Sequence, residues 1–383
     1  MIQESETNSI IDSESRQMSK GFSHLRSTFN RSQVATVVQD TPQFMLLKGD
    51  CKEVLETFPA ESVDCIITSP PYWRQREYEI DEQYIARLIG REKTPEEYVR
   101  NLVEVFSKAK RVLKTHGSIW LNIGDKYKKK NLMGMPWRVA LALQSKGWIL
   151  RNDIIWYSMK GTQSAKDRFR DVYEHIFHFV KSDRYYFNYQ DVLIKPSKFP
   201  TVNNGRIISA TGVSGKKYRK QILESTALRE HERQSALKAL EQVLEQMRKG
   251  EIVDFRMTIR GQQRLLHSDN GNVSGRAKEL EKKGFYIIKS HSKGYMPSDI
   301  WNIVPEDEVR SYNHYAAFPI ELLEIPIRST CPESHGIVLD PFVGTGTTVL
   351  AALRLNRKGI GIDISSKYLG IAKERLKGIQ TTL

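Results

Sequence analysis

Cysteine is scarce in this sequence, with three in 383 residues. Cys51, Cys65 and Cys331 are too few and too widely spaced for a disulfide framework or a cysteine-based metal site. The nine histidines likewise show no metal-ligand spacing with cysteines or carboxylates. We therefore interpret the cysteines as small buried residues, and we expect a protein that needs no metal and works in a reducing compartment.

Long apolar runs are also missing. No segment approaches the roughly 18 to 20 consecutive apolar residues of a membrane span. The polar, mixed-charge start of the chain is unlike a signal peptide. These absences predict a globular protein with no membrane partner. With 383 residues and 39% hydrophobic content, the chain can form one large or two modest domains with a substantial core.

Acidic residues are too few to balance the basic ones. The formal net charge is +14, and the isoelectric point is about 9.5. Most of the excess lies between Lys195 and Lys293, where 21 basic residues face 10 acidic ones. Such a concentration of positive charge indicates a polyanionic partner, most simply nucleic acid. The alternative is an ordinary solvated basic face.

Alternating strand and helix patterns begin near Phe44 and predict a doubly wound α/β sheet. Residues 94–97 have the composition of a helix start, with Thr94 as N-cap, proline at the first position and Glu97 at the third. Residues 1–40 are polar without periodicity, which predicts a mobile tail. Within the basic segment, a single charged helix is expected from about Arg219 to Lys249.

The segment Thr68-Ser69-Pro70-Pro71-Tyr72-Trp73 follows the strand-like run 63–67. Each proline fixes φ near −65° and lacks an N–H, and the residue before each proline is extended, so the loop should be stiff. Its hydroxyl and carbonyl oxygens can accept hydrogen bonds from an amine, and Tyr72, with Trp73, offers rings for stacking. The alternative is a rigid strand-exit turn without a chemical role.

A second motif lies near the C-terminus. A strand ends at Asp340, the loop contains Gly344 and Gly346, a helix follows, and the next strand ends at Asp363. This order is typical of a nucleotide-binding βαβ unit, in which glycines admit a ligand to the backbone and the second acid accepts both ribose hydroxyls. Asp340 suits a ligand that carries a cation. No third glycine is present for a dinucleotide.

Taken together, the two motifs resemble those of amino-group DNA methyltransferases of the permuted β group. Residues 340–348 are similar to their S-adenosylmethionine motif, residues 68–73 to their catalytic motif, and the resemblance spans about residues 44–378. It implies an α/β fold with a doubly wound, mostly parallel sheet of the Rossmann-like S-adenosylmethionine methyltransferase type, permuted, with an inserted, mainly helical, basic DNA-recognition region. The expected divisions are a tail at 1–40, a catalytic half at 41–190, a recognition region at 191–297 and a cofactor-binding half at 298–383.

The resemblance also implies which residues form the site. The catalytic residues would be Ser69, Pro70, Pro71 and Tyr72. The cofactor would contact Asp50, Cys51, Phe318, Asp340, Phe342, Gly344, Gly346, Thr348 and Asp363. From the charge clustering, the expected DNA contacts are Lys216, Lys217, Arg219, Lys220, Arg256, Arg260 and Arg264.

Ser69 resembles the first catalytic residue of cytosine-N4 enzymes, where most adenine enzymes have Asp. The resemblance therefore implies methyl transfer from S-adenosylmethionine to cytosine N4 in double-stranded DNA after base flipping. It also implies a restriction-modification system with a separate restriction endonuclease, in the cytoplasm beside the nucleoid. Adenine-N6 methylation, RNA methylation and a non-catalytic DNA-binding module stay open as alternatives. Attack at cytosine carbon 5 is disfavoured because no cysteine follows a proline in a loop.

Overall fold

The computed structural model describes Leu25 and residues 34–75, 81–158, 166–261, 275–304 and 319–377. Phe318, Arg264 and residues 1–24 and 26–33 of the predicted tail lie outside these ranges. The chain divides into two compact units. We call Val192–Pro297 the inserted unit and the chain on either side of it the sheet unit.

Between residues 34 and 191, the described segments of the sheet unit form eight strands and three α-helices. Strands β1 to β8 are Thr36–Asp40, Phe44–Lys48, Val63–Thr68, Leu113–Ile123, Tyr127–Lys128, Asn131–Leu132, Ile149–Tyr157 and Tyr173–Val180. Helices α1 to α3 are Cys51–Thr57, Pro95–Val112 and Met135–Ser145. Short 3-10 helices cover Glu82–Arg87 and Tyr189–Val192.

The inserted unit and the C-terminal part complete the described elements. In the inserted unit, β9 to β12 are Thr201–Asn203, Arg206–Ile208, Ile252–Ile259 and Phe285–His291, and α4 to α6 are Lys216–Glu224, Glu230–Arg248 and Gly275–Lys283. The sheet unit then adds β13 to β15 at Ile300–Asn302, Ile337–Asp340 and Lys358–Asp363, with α7 to α9 at Glu321–Thr330, Thr347–Arg354 and Ser366–Lys377.

Nine strands of the sheet unit form one sheet in the order β1-β2-β15-β14-β3-β4-β8-β7-β13. Strands β2, β15, β14, β3 and β4 are mutually parallel, whereas β8 is antiparallel to β4. The carboxyl ends of the five parallel strands and the start of β8 therefore lie along one edge. In open α/β sheets this edge is where ligands bind.

Alternating side chains place helices on both faces of the sheet. In β2, Met45 and Leu47 join a core with residues of α1, α2 and α3, whereas Phe44 and Leu46 join a core with residues of α8 and α9. In β3, Ile66 belongs to the first of these cores, and its neighbours Cys65 and Ile67 face α7. This arrangement confirms the predicted doubly wound α/β fold. Within the described residues, no helix is long and apolar enough to span a bilayer.

Local signals in the sequence are also found in the structure. The Thr94 side chain accepts a hydrogen bond from Glu97 N at 3.2 Å, and the Glu97 carboxylate accepts one from Thr94 N at 3.3 Å, so the predicted helix start is confirmed. Residues 36–40, by contrast, were expected in the tail. They form β1, which pairs antiparallel with β2, because Val37 and Val38 find apolar partners on the two faces of the sheet.

The single helix expected from Arg219 to Lys249 is wrong. Two helices, α4 and α5, are separated by residues 225–229, and the backbone at Ser225 is extended. The break lets the chain fold back, so that Ile222 before it and Leu240 beyond it bury in one core with Leu228. A straight helix would hold Ile222 and Leu240 about 27 Å apart.

Arg260 ties the inserted unit together. Its guanidinium lies 2.7 Å from the carboxylate of Glu232, which is 3% exposed, and it also donates to the carbonyls of Ala227, Leu280 and Glu281. Arg256 lies within β11, which ends just before Arg260, and its side chain is exposed. The two arginines, both expected from sequence to bind DNA, therefore have different surroundings.

We expect Arg260→Gln to lower the midpoint of thermal unfolding of the full chain by about 5 °C or more, because it leaves a buried carboxylate without its cation. Arg256→Gln is the matched control and should leave the midpoint within about 1 °C, as for most surface substitutions. Differential scanning calorimetry measures both. Equal midpoints for the two variants would contradict a structural role for Arg260.

Candidate active site

The loop after β3 is held rigidly at the carboxyl edge of the sheet. Tyr98 donates a hydrogen bond to the Pro71 carbonyl at 3.0 Å, and the Trp73 indole donates to Glu92 O at 3.0 Å. Trp73 is 2% exposed, so it is part of the core and cannot stack on a ligand as the sequence suggested. Ser69 and Tyr72 are half-buried and remain at the edge.

A buried carboxylate joins this loop to the glycine loop. Asp340 ends β14, next to β3 in the sheet, and its Oδ1 accepts a hydrogen bond from Thr68 Oγ1 at 2.6 Å. Its other oxygen accepts from Thr348 Oγ1 at 2.6 Å, and Phe342 N donates to Oδ1 at 3.0 Å. Burial raises the pKa of Asp340 to about 6. The two sequence motifs, about 270 residues apart, therefore meet at adjacent strand ends.

Asp363, Gly344 and Asp50, which are also predicted to contact the cofactor, lie on the β15 side of Asp340. Asp363 Oδ2 accepts a hydrogen bond from Gly344 N at 2.8 Å, and the Asp363 carbonyl accepts one from Gly49 N at 3.0 Å. Asp50 caps helix α1 by accepting from Lys52 N at 2.9 Å. The segment around Asp50, the glycine loop and the end of β15 are thus bonded to one another.

The glycines of the loop are required for two reasons. Gly344 has φ of +50°, in the left-handed region that side chains other than glycine rarely adopt. Gly346 has φ of +85°, and a Cβ there would lie 2.9 Å from the Cβ of Ala372. Close packing of α8 and α9 therefore fixes the second glycine.

Among the predicted cofactor residues, Asp363 is better placed to contact an adenosine cofactor than Asp340 and Thr348 are. Each oxygen of Asp363 holds one backbone N–H, from Gly344 or Ser365, and a carboxylate has further lone pairs for ribose hydroxyls. Asp340 and Thr348, in contrast, bond to each other and are at most 2% exposed. They shape the loop without presenting polar atoms to a ligand.

Two further residues complete the edge and were missed from the sequence. Asn122 lies at the end of β4 and Glu174 at the start of β8. The Tyr72 hydroxyl donates to Glu174 Oε2 at 2.5 Å and accepts from Ser69 Oγ at 3.1 Å and Asn122 Nδ2 at 2.7 Å. Asn122 could have been identified as a polar residue in the apolar end of β4, whereas Glu174 has no comparable signal because Tyr173 and His175 flank it.

A glycine also positions the Tyr72 ring. A Cβ at Gly124 would lie 2.8 Å from Cε2 of Tyr72, so the ring packs directly on the backbone just after β4. The glycine lets the tyrosine hydroxyl reach Glu174.

A separate cavity of about 550 Å³ opens beside Asp50. Charged side chains of both signs line it, among them Lys52, Arg91, Glu92 and Glu104. Neither Ser69, Gly344 nor Asp363 contributes to its wall. Of the predicted cofactor residues that the structure describes, only Asp50 lines this cavity.

A basic hairpin follows β4 in the sheet unit. Strands β5 and β6 form a hairpin whose two-residue tip is Lys129-Lys130, with φ of 49° and 65°. Lysine is rarely found at such φ values, and hairpins of this kind prefer Asn-Gly. The tip is exposed, and Lys130 pairs with the exposed Asp167 at 2.7 Å.

The side chains of the inserted unit that are expected to contact DNA differ in whether an acidic residue already pairs with them. Lys216 and Lys217 are exposed in the first turn of α4, while Arg219 and Lys220 are exposed beside Glu241 and Glu224 respectively. Arg256 is exposed, Arg260 is committed to Glu232, and Arg264 lies outside the described residues.

The cysteines carry no chemistry in the described parts of the chain. All three are buried and free. Burial raises the pKa of Cys65 to about 12 and raises the thiol pKa of Cys51 and Cys331 as well, so none is a ready thiolate. Over the same residues, no group of three His, Cys, Asp or Glu is arranged to hold a metal.

Known proteins resemble this chain in sequence and in fold. Residues 63–374 match the family model described as DNA methylase. The type II methyltransferase M.SfiI of Streptomyces fimbriatus is 30% identical over 86% of this chain and 90% of its own length, and M.Cfr9I of Citrobacter freundii is 28% identical over 88% and 89%. The solved structure of PvuII DNA methyltransferase (cytosine-N4-specific) superposes with a TM-score of 0.52 at 17% identity, covering 88% of this chain and 92% of that one. The structural match supports the fold.

We expect Thr68→Val to destabilise the chain by about 1.5 to 3 kcal/mol, because it removes a buried hydrogen bond to a carboxylate without changing side-chain volume. Thr36→Val, at an exposed position of β1, is the matched control and should change the free energy of unfolding by less than about 0.5 kcal/mol. Urea unfolding measures both changes. Indistinguishable curves for Thr68→Val and wild type would contradict a contribution of the hydrogen bond between Thr68 and Asp340 to stability.

Proposed function

The chain belongs to the DNA methylase family, and from that premise we propose that it methylates the N4 amine of cytosine in double-stranded DNA. The methyl donor is S-adenosylmethionine. The observation that carries the proposal is the hydrogen bond between Thr68 and Asp340, which sets the Ser69 loop beside the glycine loop. A donor and an extruded base could thus occupy neighbouring positions at one sheet edge.

Residues on the two sides of this junction have different tasks. Asp363 would hold the ribose hydroxyls of the cofactor, Asp50 would face its adenine side, and the backbone around Gly344 would approach it closely. When bound, the cofactor supplies an electrophilic methyl group on a sulfonium. Cys51 and Phe342 would contribute apolar surface to the cofactor site, and the family resemblance assigns Phe318 to the same site.

The catalytic loop acts on the acceptor amine. The amine of cytosine is a poor nucleophile because its lone pair is delocalised into the ring. Ser69 Oγ and the Pro70 carbonyl would accept the amine hydrogens and direct the lone pair toward the donor. Pro71 keeps the loop stiff, and Tyr72 would contact the flipped base. Positioning and electrostatics supply the acceleration, so no strong base is needed.

Ser69 is the residue that favours cytosine N4 over adenine N6. The alternative, adenine-N6 methylation, differs by a single Asp-for-Ser exchange in the motif, so it is the second candidate. The names of the relatives suggest the setting. We propose that the chain belongs to a type II restriction-modification system, protects DNA from a separate endonuclease and works in the cytoplasm on the nucleoid.

DNA contacts come from both units in this proposal. Lys216, Lys217, Arg219, Lys220 and Arg256 of the inserted unit would neutralise phosphates or reach base edges. Arg264 is kept with them from the sequence, and Arg260 is withdrawn because Glu232 occupies it. The hairpin lysines add phosphate contacts beside the catalytic loop.

Nucleoside analysis tests the reaction. Purified protein, S-adenosylmethionine and whole-genome-amplified bacterial DNA, which carries no modification, should yield N4-methylcytosine in mass spectrometry. Ser69→Ala should lower kcat by about 10- to 100-fold, since it removes a positioning hydrogen bond, while calorimetry shows unchanged cofactor affinity. Sequencing of the product gives the recognition site. N6-methyladenine as product would select the alternative, and methylation of tRNA but not of duplex DNA would contradict both.

The hairpin tip gives a second test, in which stability and DNA affinity move in opposite directions. Lys129→Asn combined with Lys130→Gly should stabilise the chain by about 1 to 2 kcal/mol, because Asn-Gly accepts positive φ without strain. The same variant should bind duplex DNA severalfold more weakly and reduce the slope of log affinity against log salt by about 1 to 2.

The control for charge loss removes two exposed lysines elsewhere on the sheet unit, with Lys93→Gln and Lys146→Gln. Fluorescence anisotropy over a salt series compares the three proteins. DNA affinity of the hairpin variant equal to that of wild type, or no weaker than that of the control, would contradict a phosphate contact at the tip.

A further inference from the structure

Four polar side chains form one hydrogen-bonded cluster behind the catalytic loop. Ser69 and Tyr72 come from the loop after β3, Asn122 from β4 and Glu174 from β8. Asn122 Nδ2 lies 2.7 Å from the Tyr72 hydroxyl, 2.8 Å from Glu174 Oε2 and 3.4 Å from Ser69 Oγ. Glu174 is thus the common acceptor of Tyr72 and Asn122.

Glu174 fixes the direction of every bond in this cluster. A carboxylate only accepts hydrogen bonds, so the Tyr72 hydroxyl must donate to Glu174, and the amide of Asn122 must turn its nitrogen toward Glu174. Because the Tyr72 hydrogen is committed, its oxygen can only accept from Ser69. The Ser69 hydrogen therefore points to Tyr72 and away from any ligand.

The atoms of the cluster that can still form hydrogen bonds with a ligand are all acceptors. Ser69 Oγ has donated its hydrogen and keeps lone pairs, with only the long 3.4 Å contact from Asn122. Asn122 is 5% exposed, and within the described part of the chain its buried carbonyl Oδ1 has no hydrogen-bond partner. A buried acceptor without a partner is unfavourable, and a donor on a ligand could satisfy it.

We propose that Glu174 is a positioning residue that makes Ser69 an obligate acceptor, so that the site selects a base carrying an amino group over one carrying a carbonyl. This inference rests on the proposed methyl transfer and deepens it. Glu174 acts through Tyr72 and does not touch the base. Cytosine offers two amine hydrogens to such a site, whereas uracil presents a carbonyl oxygen at the same ring position, which would meet only other acceptors.

Glutamine at position 174 tests the direction of the bonds without changing side-chain volume. Its amide can donate to Tyr72, after which the Tyr72 hydrogen can turn to Ser69 and the Ser69 hydrogen to the ligand. Tyr72→Phe breaks the same chain one step later and keeps the aromatic ring. Glu96→Gln, at an exposed position of α2, is the matched control.

Kinetics on a duplex that carries the recognition site provide the first readout. We expect Glu174→Gln and Tyr72→Phe each to lower kcat by about 10- to 100-fold, and Glu96→Gln to have no effect. The double variant should be no slower than the slower single variant, within about threefold, because both changes break one chain of bonds. Losses that multiply in the double variant would overturn the proposal.

Base preference without cofactor provides the second readout. The duplex contains cytosine or uracil opposite an abasic position at the target, which lowers the cost of flipping. Wild type should bind the cytosine duplex at least about 10-fold more tightly, and Glu174→Gln and Tyr72→Phe should each reduce this preference to about threefold or less. If Glu174→Gln does not fold, Tyr72→Phe alone decides the result.

The two levels of the argument can fail separately. Wild type that forms no N4-methylcytosine in duplex DNA would refute the proposed function. Wild type that methylates DNA while Glu174→Gln and Tyr72→Phe keep its full preference for cytosine would overturn the role of Glu174 alone.

Discussion

The hydrogen bond between Thr68 and Asp340 is the contact on which the site depends. It crosses from β3 to β14, which are neighbours in the sheet although about 270 residues separate them in the chain. Asp340 is a costly residue at this position, because burial raises its pKa to about 6. Three donors compensate, and in doing so they fix where the loop after β3 and the glycine loop begin.

The sheet edge differs in its hydrogen bonding on the two sides of the Thr68–Asp340 hydrogen bond. On one side, Asp363, Gly344 and Gly49 are bonded mainly through the backbone, which leaves carboxylate lone pairs available to a ligand. On the other side, side chains bond to side chains, and Glu174 orders the whole cluster. The proposed site for an adenosine cofactor and the proposed site for a flat amino-bearing base thus differ in kind, although adjacent strands build them.

The sequence was most informative where short segments carry their own geometry. The proline loop, the glycine loop and the cap at Thr94 follow from local chemistry, and the resemblance linked the two motifs. Pairings remote in the chain were not readable in this way. Trp73, next to Tyr72 in the sequence, was expected to stack on a ligand, but it is buried and its indole donates to the Glu92 carbonyl. Nothing in the sequence distinguishes Arg260 from Arg256, because only the fold brings Glu232 beside Arg260. Asn122 and Glu174 lie in β4 and β8, which carry other polar residues as well, and only strand order brings the two together.

The most direct test of the account is the position of a bound cofactor product relative to Ser69. In a crystal structure with S-adenosylhomocysteine, we expect the sulfur within roughly 7 Å of Ser69 Oγ, enough for one methyl group, one amine and one hydrogen bond. The ribose hydroxyls should contact Asp363. A sulfur more than about 10 Å from Ser69 Oγ, for example with the ligand in the charged cavity beside Lys52 and Arg91, would contradict the claim that the two motifs form a single site.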